Sequence, residues 1–435
     1  MIQTPPKCAL IKLVWGTLIS ALWASCVNAT AVQLFTEDRS NQALTHMQPN
    51  ISNSDEDMFI LGRSFAHVPW VESPASTTAR DGLGPLFNAN TCVACHLENR
   101  GGGGYGPQGQ APRSSVVQLH NFDNQQQSWV SDPVYGSQIS INGTQDVPFE
   151  GKYRIIWQTA KHNTQLSYPK VRFVQLNYGP LHANTQTQLL RASALIGLGL
   201  LEQIPEQQIY AQADPHDKNE DGISGQIRKV WSDANQSHKV GRFGWKSTSA
   251  SLLDQTAKAA HLDMGLSNPL FTKENCSPTQ TKCNQAYRST ELDLPQLRLQ
   301  AIATYLGNLQ IPKPQDTHLK GQAIFNKLGC QNCHSNNYTL TDGQLVPAYT
   351  DLLLHDMGEG LKGSGPLGRE WRTAPLWGLG LNQHQHQPAY LHDGRAKTIS
   401  EAILWHDGEA KHSRLAFSRL PPAEQTQLIT FLRSL

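Results

Sequence analysis

The hydrophobic positions along the chain follow two periods, and each period is confined to its own stretch. Between residues 114 and 180 apolar and polar residues alternate, as in Ser115-Val-Val-Gln-Leu and Lys170-Val-Arg-Phe-Val-Gln-Leu. A period of two predicts short strands or extended segments. Residues 186–202 predict helix and turn, and a final helix is predicted from Ala423 to Leu435, behind two prolines.

Two more helices are predicted in the last third of the chain. One runs from His318 to Leu328 and leads into Cys330. Another begins at Thr398, because Thr398-Ile-Ser-Glu is a capping box. The apolar stripe of that helix places His406 on its buried face at i+7 from Ile399. Together these patterns predict a mainly α chain with irregular loops and a few short strands.

The candidate chemistry is concentrated in two pentapeptides, Cys92-Val-Ala-Cys95-His96 and Cys330-Gln-Asn-Cys333-His334. C-x-x-C-H is the attachment signature of c-type haem. Two thiols at this spacing add to the two vinyl groups of one porphyrin, and the adjacent histidine binds the iron. A zinc site built from both cysteine pairs is disfavoured, because such pairs usually lie within about 20 residues of each other. The sequence therefore predicts two covalently bound haem c groups.

A repeated segment indicates how the chain is divided. Arg191-Ala-Ser-Ala-Leu-Ile-Gly-Leu-Gly-Leu recurs as Arg372-Thr-Ala-Pro-Leu-Trp-Gly-Leu-Gly-Leu, and each copy follows one C-x-x-C-H motif. A chain of 435 residues has room for two domains. We therefore predict an internal duplication that gives two cytochrome c-type haem domains. The N-terminal domain, with large insertions, spans residues 30–310, and the C-terminal domain spans residues 315–435.

The N-terminus and the charge indicate the compartment and exclude some partners. Lys7 and Lys12 flank the start of an apolar run from Leu13 to Val27, and Ala29 closes a small-residue site. This order is typical of a secretory signal peptide, and the run is shorter than the ~20 apolar residues of a membrane span. Residues 1–29 are therefore predicted to be a signal peptide and the mature protein to be periplasmic, with lipidation at Cys26 as the alternative. The net charge of +1, with interspersed signs, does not suggest a nucleic-acid partner.

Two polar segments carry further predictions. Cys276 and Cys283 flank a short polar segment and are expected to form a disulfide in an oxidising compartment. A second segment resembles the first half of an EF-hand loop, although Arg228 stands where that loop has its closing glutamate. We predict a calcium site there, against the alternative of a metal-free turn, with these ligands: Asp217, Asn219, Asp221 and the Ile223 carbonyl.

The second axial ligand of each iron is the remaining question. For the C-terminal haem the candidate is His406, and its rivals are His355 and Met357 in Asp351-Leu-Leu-Leu-His-Asp-Met-Gly. For the N-terminal haem two histidines, His120 and His162, are candidates, but neither lies in a persuasive pattern. This favours an open coordination position on the N-terminal iron.

Several segments resemble known haem proteins. The segment from Tyr390 to Ile403, Tyr-Leu-His-Asp-Gly-Arg-Ala-x-Thr-Ile-x-Glu-Ala-Ile, is similar to the one before the second-haem distal ligand of bacterial di-haem cytochrome c peroxidases. That ligand falls on His406. Over nearly the whole mature chain, other motifs resemble the di-haem oxidoreductase family, also called thiol oxidoreductases: Asp81-Gly-Leu-Gly-Pro-Leu-Phe-Asn, Asp132-Pro-Val-Tyr-Gly-Ser-Gln, Gly241-Arg-Phe-Gly-Trp-Lys, Asp351-Leu-Leu-Leu-His-Asp-Met-Gly and Glu370-Trp-Arg-Thr.

The resemblance implies two haem domains with their haems near the interface, often with calcium between them. The chain differs from the peroxidases in one respect: they usually have methionine at the position of His406. Methionine raises the potential of a haem, so a bis-histidine second haem would have a low potential.

Two hypotheses of function follow. In the first, the protein is a periplasmic oxidoreductase that reduces peroxide at the N-terminal haem, with electrons passed through the C-terminal haem. Glu150 is then the candidate acid/base and Trp245 the candidate relay between the haems. The partners would be an electron-donor protein, such as a small cytochrome or a cupredoxin, and a small-molecule oxidant. In the second hypothesis, both irons have two axial ligands and the protein is a di-haem electron-transfer cytochrome.

Overall fold

The structure, a computed structural model, describes residues 34–435 except 107, 145, 162, 316, 317, 336 and 386. The predicted signal peptide with Cys26 and the candidate ligand His162 lie outside the described residues. In the part that is described, no helix is both long enough and apolar enough to cross a membrane.

Helices, strands and irregular segments alternate along the described chain. The α-helices are α1 (Asn53–His67), α2 (Leu198–Gln203), α3 (Glu206–Tyr210), α4 (Leu252–Met264), α5 (Thr281–Gln285), α6 (Gln296–Gly307), α7 (Leu319–Lys327), α8 (Ile399–Trp405), α9 (Lys411–Ser418) and α10 (Pro422–Ser434). The strands are β1 (Phe35–Thr36), β2 (Leu86–Phe87), β3 (Ser115–Asp123), β4 (Ser128–Val130), β5 (Asn142–Gly143), β6 (Gly151–Thr159), β7 (Ser167–Leu176), β8 (Thr185–Arg191), β9 (Lys229–Ser232), β10 (Ser237–Val240), β11 (Ile311–Pro312), β12 (Tyr338–Thr339), β13 (Leu345–Val346), β14 (Leu354–Asp356) and β15 (Glu370–Arg372). The predicted mixture of helices, irregular segments and strands is confirmed at this level.

A crossing of two helices occurs twice in the molecule. In the N-terminal half α1 packs on α6, and in the C-terminal half α7 packs on α10. A glycine stands at each crossing, where an added Cβ would lie 1.9 Å from the Ala301 carbonyl oxygen at Gly62 and 2.3 Å from the Gln427 carbonyl oxygen at Gly321. Each crossing therefore requires glycine, because any side chain would push the two helices apart.

The alternating region forms longer strands than the sequence predicts. β6 and β7 pair as an antiparallel hairpin of nine and ten residues, and β3 pairs with both β4 and β8. The prediction of helix from residue 186 onward is wrong for its first part, because 185–191 is the strand β8. Its residues pair with β3 from Ser115↔Arg191 to Asn121↔Thr185, and this long-range pairing overrides the local pattern.

The hydrophobic cores extend across the predicted domain boundary in both directions. Residues from the C-terminal half, among them Tyr338, Leu353 and Trp377, belong to the core built mainly by the N-terminal half. Conversely, Ala160 and Leu166 near the tip of the β6–β7 hairpin belong to the core of the C-terminal half. β11 lies between the two predicted domains and pairs with β1, so this connection is fixed to the N-terminal half.

Candidate haem sites

Both C-x-x-C-H motifs open into one cavity with a volume of about 430 Å³. The first motif forms a 3₁₀ turn, Cys92–Ala94, in which the Thr91 hydroxyl accepts a hydrogen bond from the Ala94 amide. The second, Cys330–Asn332, begins after Gly329, whose φ of 77° is left-handed. In both turns the carbonyl of the first cysteine accepts the amide of the histidine, at 2.9 Å. The two sulfurs and the imidazole of each motif are thereby brought to the same wall of the cavity.

Three histidines on the cavity wall are held in the tautomer that suits an iron ligand. His96, His334 and His406 each place Nδ1 at 2.7–2.9 Å from a backbone carbonyl oxygen, of Ser193, Tyr349 and Ala402 respectively. A carbonyl only accepts, so Nδ1 carries the proton and Nε2 keeps its lone pair. Burial lowers the pKa of His96 and of His334 to about 4 and also lowers that of His406. All three are therefore neutral near pH 7, the form that binds metal.

The contacts of the three candidate ligands of the C-terminal haem distinguish between them. His406 does not lie on the predicted helix, because α8 ends at Trp405 and His406 is its extended C-cap residue. His355 binds carboxylates through both ring nitrogens, Asp351 at 2.8 Å and Glu409 at 2.6 Å. These bonds raise the pKa of His355 and leave it no lone pair for iron. Met357 lies on the cavity wall, so its thioether stays a rival to His406.

Helix α4 forms a wall of the N-terminal part of the cavity. Gln255, Thr256, Ala259 and Asp263 line it, at the helical spacing of one face. The side-chain oxygen of Gln255 is buried and has no hydrogen-bond partner among the described residues. Asp263 accepts a bond of 2.7 Å from the Gln138 amide, and burial raises its pKa to about 6. A buried oxygen without a partner is costly, so the Gln255 oxygen has an unused capacity to accept a hydrogen bond.

Glu150, the acid/base candidate from the sequence, is not among the described residues that line the cavity. It is buried and accepts hydrogen bonds from the Ser140 amide at 2.6 Å and the Gln280 side chain at 2.5 Å. Burial raises its pKa to about 7. Gln280 lies inside the loop that Cys276 and Cys283 close as a disulfide in the structure. The geometry gives Glu150 a structural position beside that loop, and Asp263 is the carboxyl group on the N-terminal part of the wall.

Sequence reasoning missed Gln255 and Asp263, although a signal for their helix exists. Ser251-Leu-Leu-Asp254 forms a capping box at the start of α4. Projecting the next ten residues on a helical wheel places Gln255, Ala259 and Asp263 on one face. What no local pattern could show is that this face meets the pocket of Cys92, more than 150 residues earlier in the chain.

Trp245 lies on the cavity wall between the two arginines of the repeated segment. Its indole nitrogen donates to the Arg191 carbonyl at 2.7 Å, and its own carbonyl accepts the Arg372 amide at 3.0 Å. Burial lowers the pKa of both arginines to about 10. Their guanidinium groups donate to backbone carbonyl oxygens. Trp245 is thus fixed between the two copies of the repeated segment.

Beside Trp245 lies an aromatic pair that the sequence does not suggest. The rings of Trp371 and His392 stack with centroids 3.6 Å apart and an angle of 13°. The His392 ring also meets Trp245 edge-on at 6.5 Å, and the Lys246 ammonium lies 3.7 Å from the centre of the Trp371 ring. Rings in contact thus connect the N-terminal and C-terminal parts of the cavity wall.

Most of the remaining predicted residues lie outside the cavity wall, although Ile223 lines it. The calcium candidates share one exposed loop, in which Asp217 accepts the Gly222 amide at 3.1 Å and Asp221 accepts the Ile223 amide at 2.9 Å. The next residue, Ser224, donates to Glu409 at 2.6 Å. The loop is therefore tied to the C-terminal half through a carboxylate that also binds His355. His120 bonds Ser364 at 3.0 Å and is not among the described residues of the cavity wall.

These features define a di-haem protein with one shared cavity. A model of the family described as "Di-haem oxidoreductase, putative peroxidase" matches residues 184–435. Because this is more than half of the chain, the protein belongs to the di-haem oxidoreductase family, and its cofactors are haems. The family predicted from the sequence motifs is thus confirmed.

The comparisons with individual proteins add little to this assignment. No curated protein matches the chain. Among solved structures, hydrazine synthase of Kuenenia stuttgartiensis pressurised with 20 bar xenon is similar over 98% of this chain and 100% of that chain, with 13% identity and a TM-score of 0.35. That score is too low to support an argument.

Proposed function

We propose that this chain is an exported, periplasmic di-haem c-type oxidoreductase that reduces peroxide at the N-terminal haem and receives electrons through the C-terminal haem. The observation that carries the proposal is an asymmetry within one cavity. On the C-terminal side His406 and His334 both offer a free Nε2. On the N-terminal side His96 faces a part of the cavity whose other wall, α4, carries Gln255 and Asp263.

The proposed roles follow from the contacts of the described residues. Cys92, Cys95, Cys330 and Cys333 would hold two haems covalently, and His96 and His334 would bind their irons. When bound, haem supplies an iron that binds peroxide and carries electrons. Asp263 would take the first proton of the peroxide and return it to the departing oxygen, as a base near its own pKa does efficiently. Gln255 would orient the peroxide through its side-chain oxygen, which can accept a hydrogen bond from the other O–H group of the peroxide.

Two cytochrome c-type domains, residues 30–310 and 315–435, are part of the proposal. The helix crossing occurs twice, as α1 with α6 and as α7 with α10, and this repetition supports two domains. In each pair one helix precedes a haem motif in the chain and the other follows it. Trp245 would relay electrons between the domains, since it is bonded to both Arg191 and Arg372. Calcium in the 217–223 loop would strengthen the tie between the halves that runs through Ser224 and Glu409.

The test compares two carboxyl groups whose pKa burial raises. Asp263→Asn should slow peroxide consumption about 10²–10⁴-fold, the usual contribution of a general acid–base. Glu150→Gln, the matched control, should leave it nearly unchanged because Glu150 lies away from the cavity. In the unaltered protein the rate should fall as pH drops below about 6, because protonated Asp263 cannot accept a proton. Equal losses in the two variants, or no pH dependence near 6, would remove Asp263 from the mechanism.

Electron transfer without peroxide chemistry is the second candidate, and one observation favours it. Met264 lies on the same α4 wall. Electron-transfer cytochromes use a methionine thioether as a haem ligand. If Met264 or a histidine closes the N-terminal iron, both haems should remain low-spin in every redox state. Absorption and electron paramagnetic resonance spectra of the oxidised, half-reduced and fully reduced protein decide between the two. A high-spin fraction together with peroxide consumption supports the peroxidase, and their joint absence supports the electron-transfer protein.

A further inference from the structure

The β6–β7 hairpin carries several positive charges and no negative one. Residues 151–176 contain five basic residues and no acidic one, namely Lys152, Arg154, Lys161, Lys170 and Arg172, whereas the whole chain has 36 basic and 35 acidic residues. This segment therefore makes a cationic surface on a nearly neutral protein.

The register of the hairpin collects these charges on one face. Arg154 lies directly opposite Arg172, and Ile156 lies directly opposite Lys170. All four are exposed, Ile156 to 43%. Like charges directly opposite each other on neighbouring strands destabilise a hairpin. The pair therefore costs stability in the isolated protein, and an anionic partner would remove that cost.

The same face continues to the C-terminal haem site. Residues two apart along a strand share a face, so Arg154 and Ile156 are followed by Gln158, which lies opposite Tyr168. The Tyr168 ring meets the Trp405 ring edge-on at 6.3 Å. Trp405 is buried and directly precedes His406. The exposed face thus leads through Tyr168 to the buried residue beside the candidate iron ligand.

We propose that this cationic face, defined by Arg154, Ile156, Lys170 and Arg172, docks an acidic electron-transfer protein. Each encounter moves one electron, so the partner's redox centre loses one electron and the C-terminal haem gains one, past Tyr168 and Trp405. The inference rests on the proposed function in one respect, since it needs a haem held by His334. It names the surface and the charge of the donor, which the proposed function leaves open.

An anionic membrane is the other acidic surface that such a face could meet, and the structure favours a protein. Membrane-surface segments expose Trp and Phe to the lipid. Here Trp157 points to the opposite face of the hairpin, where its ring meets that of Tyr105 at 5.4 Å. The apolar groups left on the cationic face are aliphatic, and this face leads to a redox-active site.

The experiment uses one cytochrome in two charge states. Small cytochrome c is basic as purified and becomes acidic when its lysines are succinylated, with the same fold and haem. Electron exchange with the full di-haem protein is followed in a stopped-flow spectrometer, in the downhill direction and without peroxide. The succinylated form should react about tenfold faster or more at low ionic strength. The advantage should vanish as the Debye length falls from ~30 Å at about 0.01 M salt to ~3 Å at about 1 M.

The variant Arg154→Glu with Arg172→Glu should abolish the preference for the succinylated form. Lys239→Glu with Lys273→Glu makes the same change in net charge at exposed positions elsewhere and should preserve it. The milder pair Arg154→Gln with Arg172→Gln should give an intermediate rate, and visible spectra check that all variants carry intact haems. Equal losses in the two glutamate variants would overturn the proposal, because net charge alone would explain them.

Two further outcomes keep the inference separate from the proposed function. If anionic phosphatidylglycerol vesicles bind the unaltered protein but not the Arg154/Arg172 variant, while electron exchange is the same in both, the face binds membranes and the proposal fails. If peroxide is not consumed but the preference for the acidic cytochrome depends on Arg154 and Arg172, the docking face stands and only the peroxidase is lost.

Discussion

The two copies of the repeated segment make the same turn but serve different surroundings. In each copy a glycine with left-handed φ starts a short helical stretch, Gly197 at 68° and Gly378 at 65°. Two residues later, Gly199 and Gly380 touch the helix that closes their half, α6 or α10. There an added Cβ would lie 2.1 Å and 2.0 Å from a carbonyl oxygen. Each haem motif is therefore surrounded by the same frame, which consists of the repeated glycine turn and the closing helix packed against it.

What differs is the chain between the motif and its repeat. The N-terminal half inserts strands β3 to β8 before Arg191, and it adds α4 after it. The C-terminal half has the short strands β12 to β15 between its motif and the end of β15 at Arg372, and it then continues to α8 with His406 at its end. The N-terminal site thus gains a polar wall, and the C-terminal site gains a second histidine. Under the proposed function, one frame supports an open and a closed iron, depending on the added elements.

The largest effect should come from removing one attachment cysteine in each half. Cys95→Ala and Cys333→Ala should each lower the haem-to-protein ratio by about half, because each haem is held by its own motif. The pyridine haemochrome spectrum after acid-acetone extraction measures the covalent haem that remains. Equal losses support two equivalent frames. A preparation with one extractable haem, or with zinc in its place, would refute the attachment of two haems.

Replacing His406 should change one haem and leave the other as it was. His406→Ala should convert the C-terminal iron from low-spin to high-spin, since Nε2 of His406 is free to bind it. His355→Ala should not make this conversion, because both nitrogens of His355 already bind carboxylates. Electron paramagnetic resonance of the oxidised protein separates the spin states. Loss of a red-end absorption band in Met357→Ala alone would assign the ligand to Met357 instead.

The ion pairs of His355 should show the next largest effect, on stability. His355→Gln leaves the buried Asp351 and Glu409 without their cation, which typically costs about 3–5 kcal/mol. The exposed pair of Arg369 and Asp356 serves as control, since Arg369→Gln should cost at most about 1 kcal/mol. Denaturant unfolding followed by circular dichroism measures both. Equal costs would mean that the buried cluster adds nothing to the C-terminal half.

The same cluster predicts how stability depends on pH. Because the pKa of His355 is raised in the folded protein, its contribution is fully present below the ordinary histidine value of about 6.5. It is lost as the pH rises from that value towards the raised pKa. The difference in unfolding free energy between the unaltered protein and His355→Gln should therefore shrink from pH 6 to pH 9. A difference that grows over this range would contradict the charged state of His355.

Local patterns predicted the parts of the molecule whose chemistry is local. The C-x-x-C-H turns depend on five consecutive residues, and α7 and α10 follow from their own apolar periods, ending within a residue or so of the predicted bounds. The strand at 185–191 could not be predicted in this way, because its partner β3 lies some 70 residues away. The position of Asp263 could not be predicted from a local pattern either, because it depends on how α4 packs. At His406 the helix stops one residue earlier than the apolar stripe suggests.

The smallest effects should come from the two glycines that make the frames alike. Gly199→Ala and Gly380→Ala each place a methyl group against helix backbone, at 2.1 Å and 2.0 Å, and overpacking of this kind costs about 1–3 kcal/mol. Gly103→Ala, where the nearest atom is 3.4 Å away on a flexible glutamine, is the control and should cost less. Unfolding midpoints of the three variants test the duplication directly. If the two frames are equivalent, Gly199→Ala and Gly380→Ala lose similar stability, whereas a loss in only one would show that the other half can shift its closing helix.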